Sequence, residues 1–248
     1  MEETYKITKP IPRVSISNSD KFVYWLSRHW IIVVGSCFGL YVILPFLAPV
    51  LMHIGWSWPG KAIYFIYSFL CHQLPQRSYF LFGPKFSYSL PEIQSAWQNT
   101  NNGLILRKFI GDPQMGWKTA WSDRMIAMFT SLWTFSMIWG LLKTRIKPLP
   151  LWGLILLLLP IDIDGTTHFV SDLSGIGLGF RDSNLWLATL TRSAFPPSFY
   201  NGDAWGSFNS LMRLGSGILF GLGLVWFGFP YLESAFSSSE ALLENKEG

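Results

Sequence analysis

From Trp30 to Met52 the chain runs for 23 residues without a charged side chain. At about 1.5 Å of rise per residue, a helix of that length crosses the roughly 30 Å hydrocarbon core of a bilayer. Two further uncharged runs reach similar length: Met125 to Leu142 with 18 residues and Leu214 to Leu232 with 19. Composition points the same way, since 50% of the residues are hydrophobic and only 14% are charged, against roughly 25% charged in soluble domains. One large soluble domain is all but excluded. The expected environment is a lipid bilayer, and the expected location is the cell membrane, crossed several times.

Two other apolar runs are too short to span alone. Ala62 to Leu70 ends in Cys71-His72-Gln73, and Pro148 to Ile161 runs straight into Asp162-Ile163-Asp164. Each reaches bilayer length only by taking polar residues in with it. Such groups need protein partners at that depth, so interrupted spans are where membrane proteins build sites. The fold class this predicts is all-α: a polytopic membrane helix bundle of about five spans, two of them short or re-entrant. Two long connections, Gln73 to Asp123 and Thr167 to Asn209, are too rich in aromatic residues for disordered linkers. They read as ordered loops with short interfacial helices, capping one face. The chain reads as a single membrane domain, 1–248, with a polar N-terminal arm over 1–28 and a flexible Ser/Glu-rich tail over 237–248. The first apolar run is expected to stay as an anchor rather than leave as a signal peptide.

The net charge of +4 is mild. It reads as a bias at the membrane flanks, and no nucleic-acid partner is expected. Lys143, Arg145 and Lys147 crowd one tight loop, and Lys6, Lys9, Arg13, Lys21 and Arg28 precede the first span. Both clusters prefer the cytoplasmic side. Five full spans put them on opposite sides; they agree only if the second segment dips in and returns. Five was the slightly favoured count. With either count, Cys71, His72, Asp123, Arg124, Asp162, Asp164, His168, Asn209 and Arg213 meet one membrane face.

The strongest local pattern is Asp164-Gly-Thr-Thr-His168-Phe-Val-Ser-Asp172. Spacing of four and four stacks three side chains on one helix face. With His72 as a third ligand, Asp164 and His168 suit Zn or another divalent transition metal. A bound water there is acidified enough to attack an ester or amide. Asp123 or Asp172 would then serve as ligand or general base, and Arg77, Arg124 or Arg181 would bind an anionic head group or a developing oxyanion. The plainer alternative has Asp164 capping a helix with His168 hydrogen-bonded to it, and Arg181-Asp182 locking the cap. Gly217 and Gly221, four apart in the last span, form a close-packing notch for another helix.

These residues also carry a resemblance. Cys71-His72-Gln73-x-Pro75-x-Arg77-Ser78, Trp-Ser-Asp-Arg entering the third span, Pro160-Ile-Asp162-Ile-Asp164-Gly165 with Thr166-Thr167-His168, Arg181-Asp182-Ser-Asn184 and Arg213-Leu-x-x-Gly217 together resemble the domain-of-unknown-function family 2085 of prokaryotic integral membrane proteins. The likeness covers roughly Phe65 to Phe229 and implies a membrane protein without assigning an activity. Members often show Cys-x-Arg-Cys or Cys-x-Arg-Asp before the third span, where this chain has Ser122-Asp123-Arg124-Met125. That departure speaks against a cysteine-rich metal site. It favours a non-catalytic accessory or assembly subunit, docked to a membrane partner through the capping loops or the Gly217/Gly221 face. The alternatives are a metal-dependent intramembrane hydrolase acting on a lipid or lipid-linked substrate, and a transporter.

Overall fold

The computed structural model describes residues 17–143 and 145–247, with side chains to residue 243. The residues of the N-terminal arm before 17 lie outside it. Four helices are long and apolar enough to cross a membrane: α1 (Asn18–His53), α5 (Asp123–Leu142), α6 (Leu151–Asp172) and α10 (Phe208–Glu247). The second apolar segment forms only α2 (Ser57–Tyr67), 11 residues long, or about 16 Å at helical rise. That is half a hydrocarbon core. So four helices reach spanning length, where the apolar runs predict about five spans.

The spanning helices alternate in direction, and their ends define two faces. Arg28 and His29 of α1 line one groove with Gly140 and Lys143 at the end of α5, and Lys143 forms an ion pair with Glu233 of α10. Arg28 and Lys143 therefore lie at the same end, which five full crossings would have forbidden. An aromatic cluster of Trp30, Trp139 and Phe229 fills the bundle there. At the other end α1 closes with His53 stacked on Phe82, the rings 4.2 Å apart. Here α5 begins and α6 ends.

Each long helix carries the signals its sequence implies. Ser17 caps α1 in a reciprocal pair with Asp20. Pro45 and Pro49 lie inside α1, Pro160 inside α6 and Pro230 inside α10, as membrane helices tolerate where neighbours re-satisfy the freed backbone. α6 runs past its apolar half through Asp164 and His168 to Asp172. It gains its spanning length by carrying polar residues inward. α10 continues as helix to Glu247.

The cap departs from an all-helical reading. A 3₁₀ turn (Pro75–Arg77) leads into β1 (Ser78–Leu81), followed by α3 (Leu90–Ala96), α4 (Gly103–Leu106), β2 (Gly111–Asp112) and β3 (Gly116–Ser122). These strands form an antiparallel sheet in the order β1-β3-β2. Gly116 has φ +82°, and a Cβ there would lie 2.4 Å from the Leu81 carbonyl oxygen, so the β1–β3 contact needs glycine. Ser122 ends β3 and opens α5, which couples the sheet rigidly to the bundle. α7 (Phe180–Ser183), α8 (Leu185–Leu190) and α9 (Pro197–Tyr200) complete the second connection. Trp121, Tyr64, Tyr67 and Val42 form the core that joins sheet, α2 and α1.

The Gly217/Gly221 notch is already filled. A Cβ on Gly221 would lie 2.1 Å from Ser131 Oγ and 2.6 Å from the Leu132 nitrogen, and one on Gly217 would lie 2.8 Å from Ala127 Cβ. The notch therefore seats α10 on α5 of the same chain, correcting the expectation that it faces a partner helix.

Candidate functional site

Where α5, α6 and α10 meet the cap, buried charges lie within hydrogen-bond reach of one another. α5 opens with Asp123, buried at 2% exposure. Arg213, five residues into α10, reaches it through Nε at 2.8 and 2.9 Å and Nη2 at 2.8 Å. The same guanidinium donates through Nη1 to Asp203 Oδ1 at 2.7 Å and through Nη2 to the Asp203 carbonyl at 2.6 Å. Asp203 also accepts from Arg77 Nε at 2.7 Å. Arg77 then forks onto Asp172 at the end of α6, with both bonds 2.7 Å, the bidentate geometry that suits guanidinium to carboxylate.

A second branch centres on Asp164, 1% exposed. Arg124 Nη2 takes one carboxylate oxygen at 2.7 Å and Arg181 Nη2 the other at 2.8 Å. Arg181 is held further by Thr167 Oγ1 at 2.6 Å and Asn209 Oδ1 at 3.1 Å. His168 bridges the branches. Its Nδ1 lies 3.1 Å from the Asp164 carbonyl and 3.3 Å from Arg124 Nη2. Its Nε2 lies 3.3 Å from Arg213 Nη1 and 3.5 Å from Asp203 Oδ1.

Four arginines (77, 124, 181, 213) thus face four aspartates (123, 164, 172, 203). Three members, Arg77, Arg181 and Asp203, lie outside the spanning helices, in the cap. Burial opposes a charge on Asp203, but Arg77 and Arg213 override it and hold its carboxyl well below the usual range. Burial likewise opposes the Arg77 charge, yet Asp203 and Asp172 keep its guanidinium protonated above the ordinary arginine range.

The sequence-derived candidates fall into place unevenly. Asp164 and His168 are neighbours, one turn apart on α6. His72 is not on a helix; it follows α2 in extended chain and is exposed. Among the described residues, no three His, Cys, Asp or Glu side chains gather as a metal ion needs, and both oxygens of Asp164 already serve arginines. Asp123 and Asp172, the candidate bases, are each held by an arginine. Cys71 Sγ accepts the backbone N–H groups of Gln73 at 3.3 Å and Ser122 at 3.4 Å. Asp162 points outward and is exposed.

The anion-binding trio divides. Arg77 and Arg124 line a cavity of about 470 Å³ with His72, Arg107, His168 and Asp172. A smaller cavity of about 130 Å³ continues past His72 and Arg124 to Cys71 and Arg213. Arg124 Nε is buried and has no hydrogen-bond partner among the described residues. Arg181 lies across α6, beside a separate apolar cavity of about 450 Å³ lined by Leu159, Ile163 and Trp186.

Sequence reasoning missed Asp203 and Arg107. Asp203 carried one signal: it is the only charged residue between Arg192 and Arg213. Arg107 carried none, since its partners are the backbone carbonyls of Ser68 at 2.7 Å and Cys71 at 3.4 Å.

No family model matches the chain, and no solved structure matches it. The chain is similar to an uncharacterized protein of Methanocaldococcus jannaschii, 25% identical over 152 residues, which cover 58% of this chain and 76% of that protein.

Proposed function

We propose that this is an integral membrane protein of the cell membrane that captures an anionic headgroup, phosphate or carboxylate, in its cap-side cavity. It does so as a non-catalytic accessory component of a membrane assembly. The carrying observation is the charge of the 470 Å³ cavity: Arg77, Arg107 and Arg124 face it against Asp172 alone. Arg124 Nε adds a buried donor that no group among the described residues engages. Unpaired buried donors are rare because each forfeits its hydration, and an oxyanion is the natural acceptor.

The membrane setting rests on apolar exposure. Leu141 is 84% exposed, Trp58 81%, Phe69 75% and Leu173 72%, a surface that water would not tolerate and lipid covers without cost. The positive-inside rule places the Arg28/Lys143 end in the cytoplasm, so the cavity opens on the opposite side. Likeness to family 2085 belongs to the same reading and rests on the motifs quoted above. A binding role is favoured over metal-dependent hydrolysis because Asp123, Asp164 and Asp172 are all neutralised by arginine. A general base needs a free lone pair within reach of its proton.

Calorimetric titration of the purified protein with inorganic phosphate tests this. The wild type binds saturably, and added salt weakens binding. His72→Glu puts a negative charge on the exposed wall and should weaken binding about tenfold or more, by like-charge repulsion at a few ångströms. A wild type that takes up no phosphate, or a His72→Glu variant that binds equally well, contradicts the proposal.

A further inference from the structure

A second cavity of about 480 Å³ lies within the cap and has the opposite chemistry. Its polar walls are Gln76, Asn101, Asn201, Asp182 and Asp203, with Trp205 also lining it. It shares only Asn101 and Ile176 with the arginine cavity. These two residues bond to each other through their backbones, Ile176 N to the Asn101 carbonyl at 3.2 Å, and form the partition. Among the described residues no lysine or arginine lines this cavity. Arg77 and Arg213 lie behind Asp203 and neutralise it from the other side.

Gln76 is 2% exposed, yet neither its amide nitrogen nor its amide oxygen has a hydrogen-bond partner among the described residues. A buried amide without partners is costly, and Gln76 lines the cavity. Asp182 adds an acceptor. Its carboxylate takes one bond, from the Gly179 N–H at 2.9 Å, and none of its recorded bonds comes from a cation. Burial, then the negative charges of Asp203 and Asp172, pushes its pKa up, which the single Gly179 N–H does not offset. Trp205 is 53% exposed and its indole is held edge-on by Tyr79 at 5.7 Å and Phe86 at 6.0 Å. A fixed aromatic ring thus stands at the wall.

We infer that this cavity binds a hydroxyl-rich ring of the sugar type. A hydroxyl is donor and acceptor at once, so one group can satisfy each half of the Gln76 amide, and a second can donate to Asp182. The Trp205 ring offers an apolar face for the C–H side of such a ligand. Without a cation the cavity rejects anions, which separates it from the headgroup site. Its volume lies within the roughly 300–1,000 Å³ of small-molecule sites.

The test is saturation-transfer NMR on the full-length protein, with glucose, galactose and N-acetylglucosamine at millimolar concentration and ethylammonium as the alternative ligand. At least one sugar should show saturable transfer. Gln76→Leu removes the orphan amide at nearly constant volume, so the variant should melt at or above the wild-type temperature while its sugar affinity falls about tenfold or more, the loss expected when a site's polar group goes missing. Asp182→Asn should weaken binding as well. Absence of transfer from every sugar, transfer from ethylammonium alone, or unchanged sugar affinity in Gln76→Leu overturns the inference. Because His72→Glu acts across the partition, it should leave sugar transfer intact, so failure here is distinguishable from failure of the headgroup reading.

Discussion

Arg213→Gln is the sharpest perturbation of the charge lattice. Arg213 is 2% exposed and makes six hydrogen-bond contacts, three to Asp123, two to Asp203 and one to His168. Removing the guanidinium leaves Asp123 buried, with only the Arg124 backbone N–H at 2.8 Å for company. Asp203 keeps Arg77. The cost is therefore dominated by one uncompensated buried carboxylate, about 3–5 kcal/mol for breaking a buried pair. A matched exposed pair supplies the scale: Lys85–Glu92, whose side chains are 57% and 39% exposed, so Lys85→Gln should cost little, since water screens the pair. Reversible unfolding in mixed detergent micelles measures both. Adding Asp123→Asn to Arg213→Gln removes the stranded charge, and the double variant should be more stable than Arg213→Gln alone. If Arg213→Gln costs no more than Lys85→Gln, or the double variant recovers nothing, the lattice does not hold the cap to the bundle as described.

Two further outcomes follow from local geometry. Lys118 is fully buried, its ammonium donating to the Gln73 and Arg107 carbonyls at 2.6 and 2.8 Å. Burial lowers its pKa to about 7 from 10.5. Between those values the unfolded chain holds the proton and the folded chain releases it. Stability relative to Lys118→Met should therefore rise with pH, by up to about 1.4 kcal/mol per unit from 7 towards 10, and be flat below 7; denaturation at a series of pH values checks the slope. Gly221→Ala drives a methyl into Ser131 and the α5 backbone, and should destabilise by about 1–3 kcal/mol, whereas Gly228→Ala meets open space and should be close to neutral.

How far the chain can be read without coordinates varies by element. The uncharged runs of α1, α5 and α10 speak for themselves, because hydrocarbon admits no unpaired charge over a full span. α6 was legible as an incomplete apolar run that recruits Asp164 and His168, and the convergence of polar helix ends on one face followed from connection parity. The sheet was not legible. In Gly116-Trp-Lys-Thr-Ala-Trp-Ser122 the lysine turns inward to backbone carbonyls, which no apolar alternation signals. The second segment was ambiguous because nine apolar residues fit a dip as well as part of a span. The notch at Gly217 and Gly221 announces close packing without saying against which helix. Among site residues, the pairing of Asp164 with His168 was visible from their spacing, but its chemistry depends on Arg124 and Arg181, which arrive from distant segments. Asp203 matters only because it stands between Arg77 and Arg213, and a loop aspartate says nothing of that alone.

The most direct measurement of the central claim is the lipid retained when the protein is released from nanodiscs of mixed anionic and zwitterionic phospholipid and weighed intact by native mass spectrometry. The account predicts one retained anionic lipid on the wild type, absent from His72→Glu at unchanged melting temperature. Equal retention by both proteins, or zwitterionic lipid held as firmly as anionic, would contradict it.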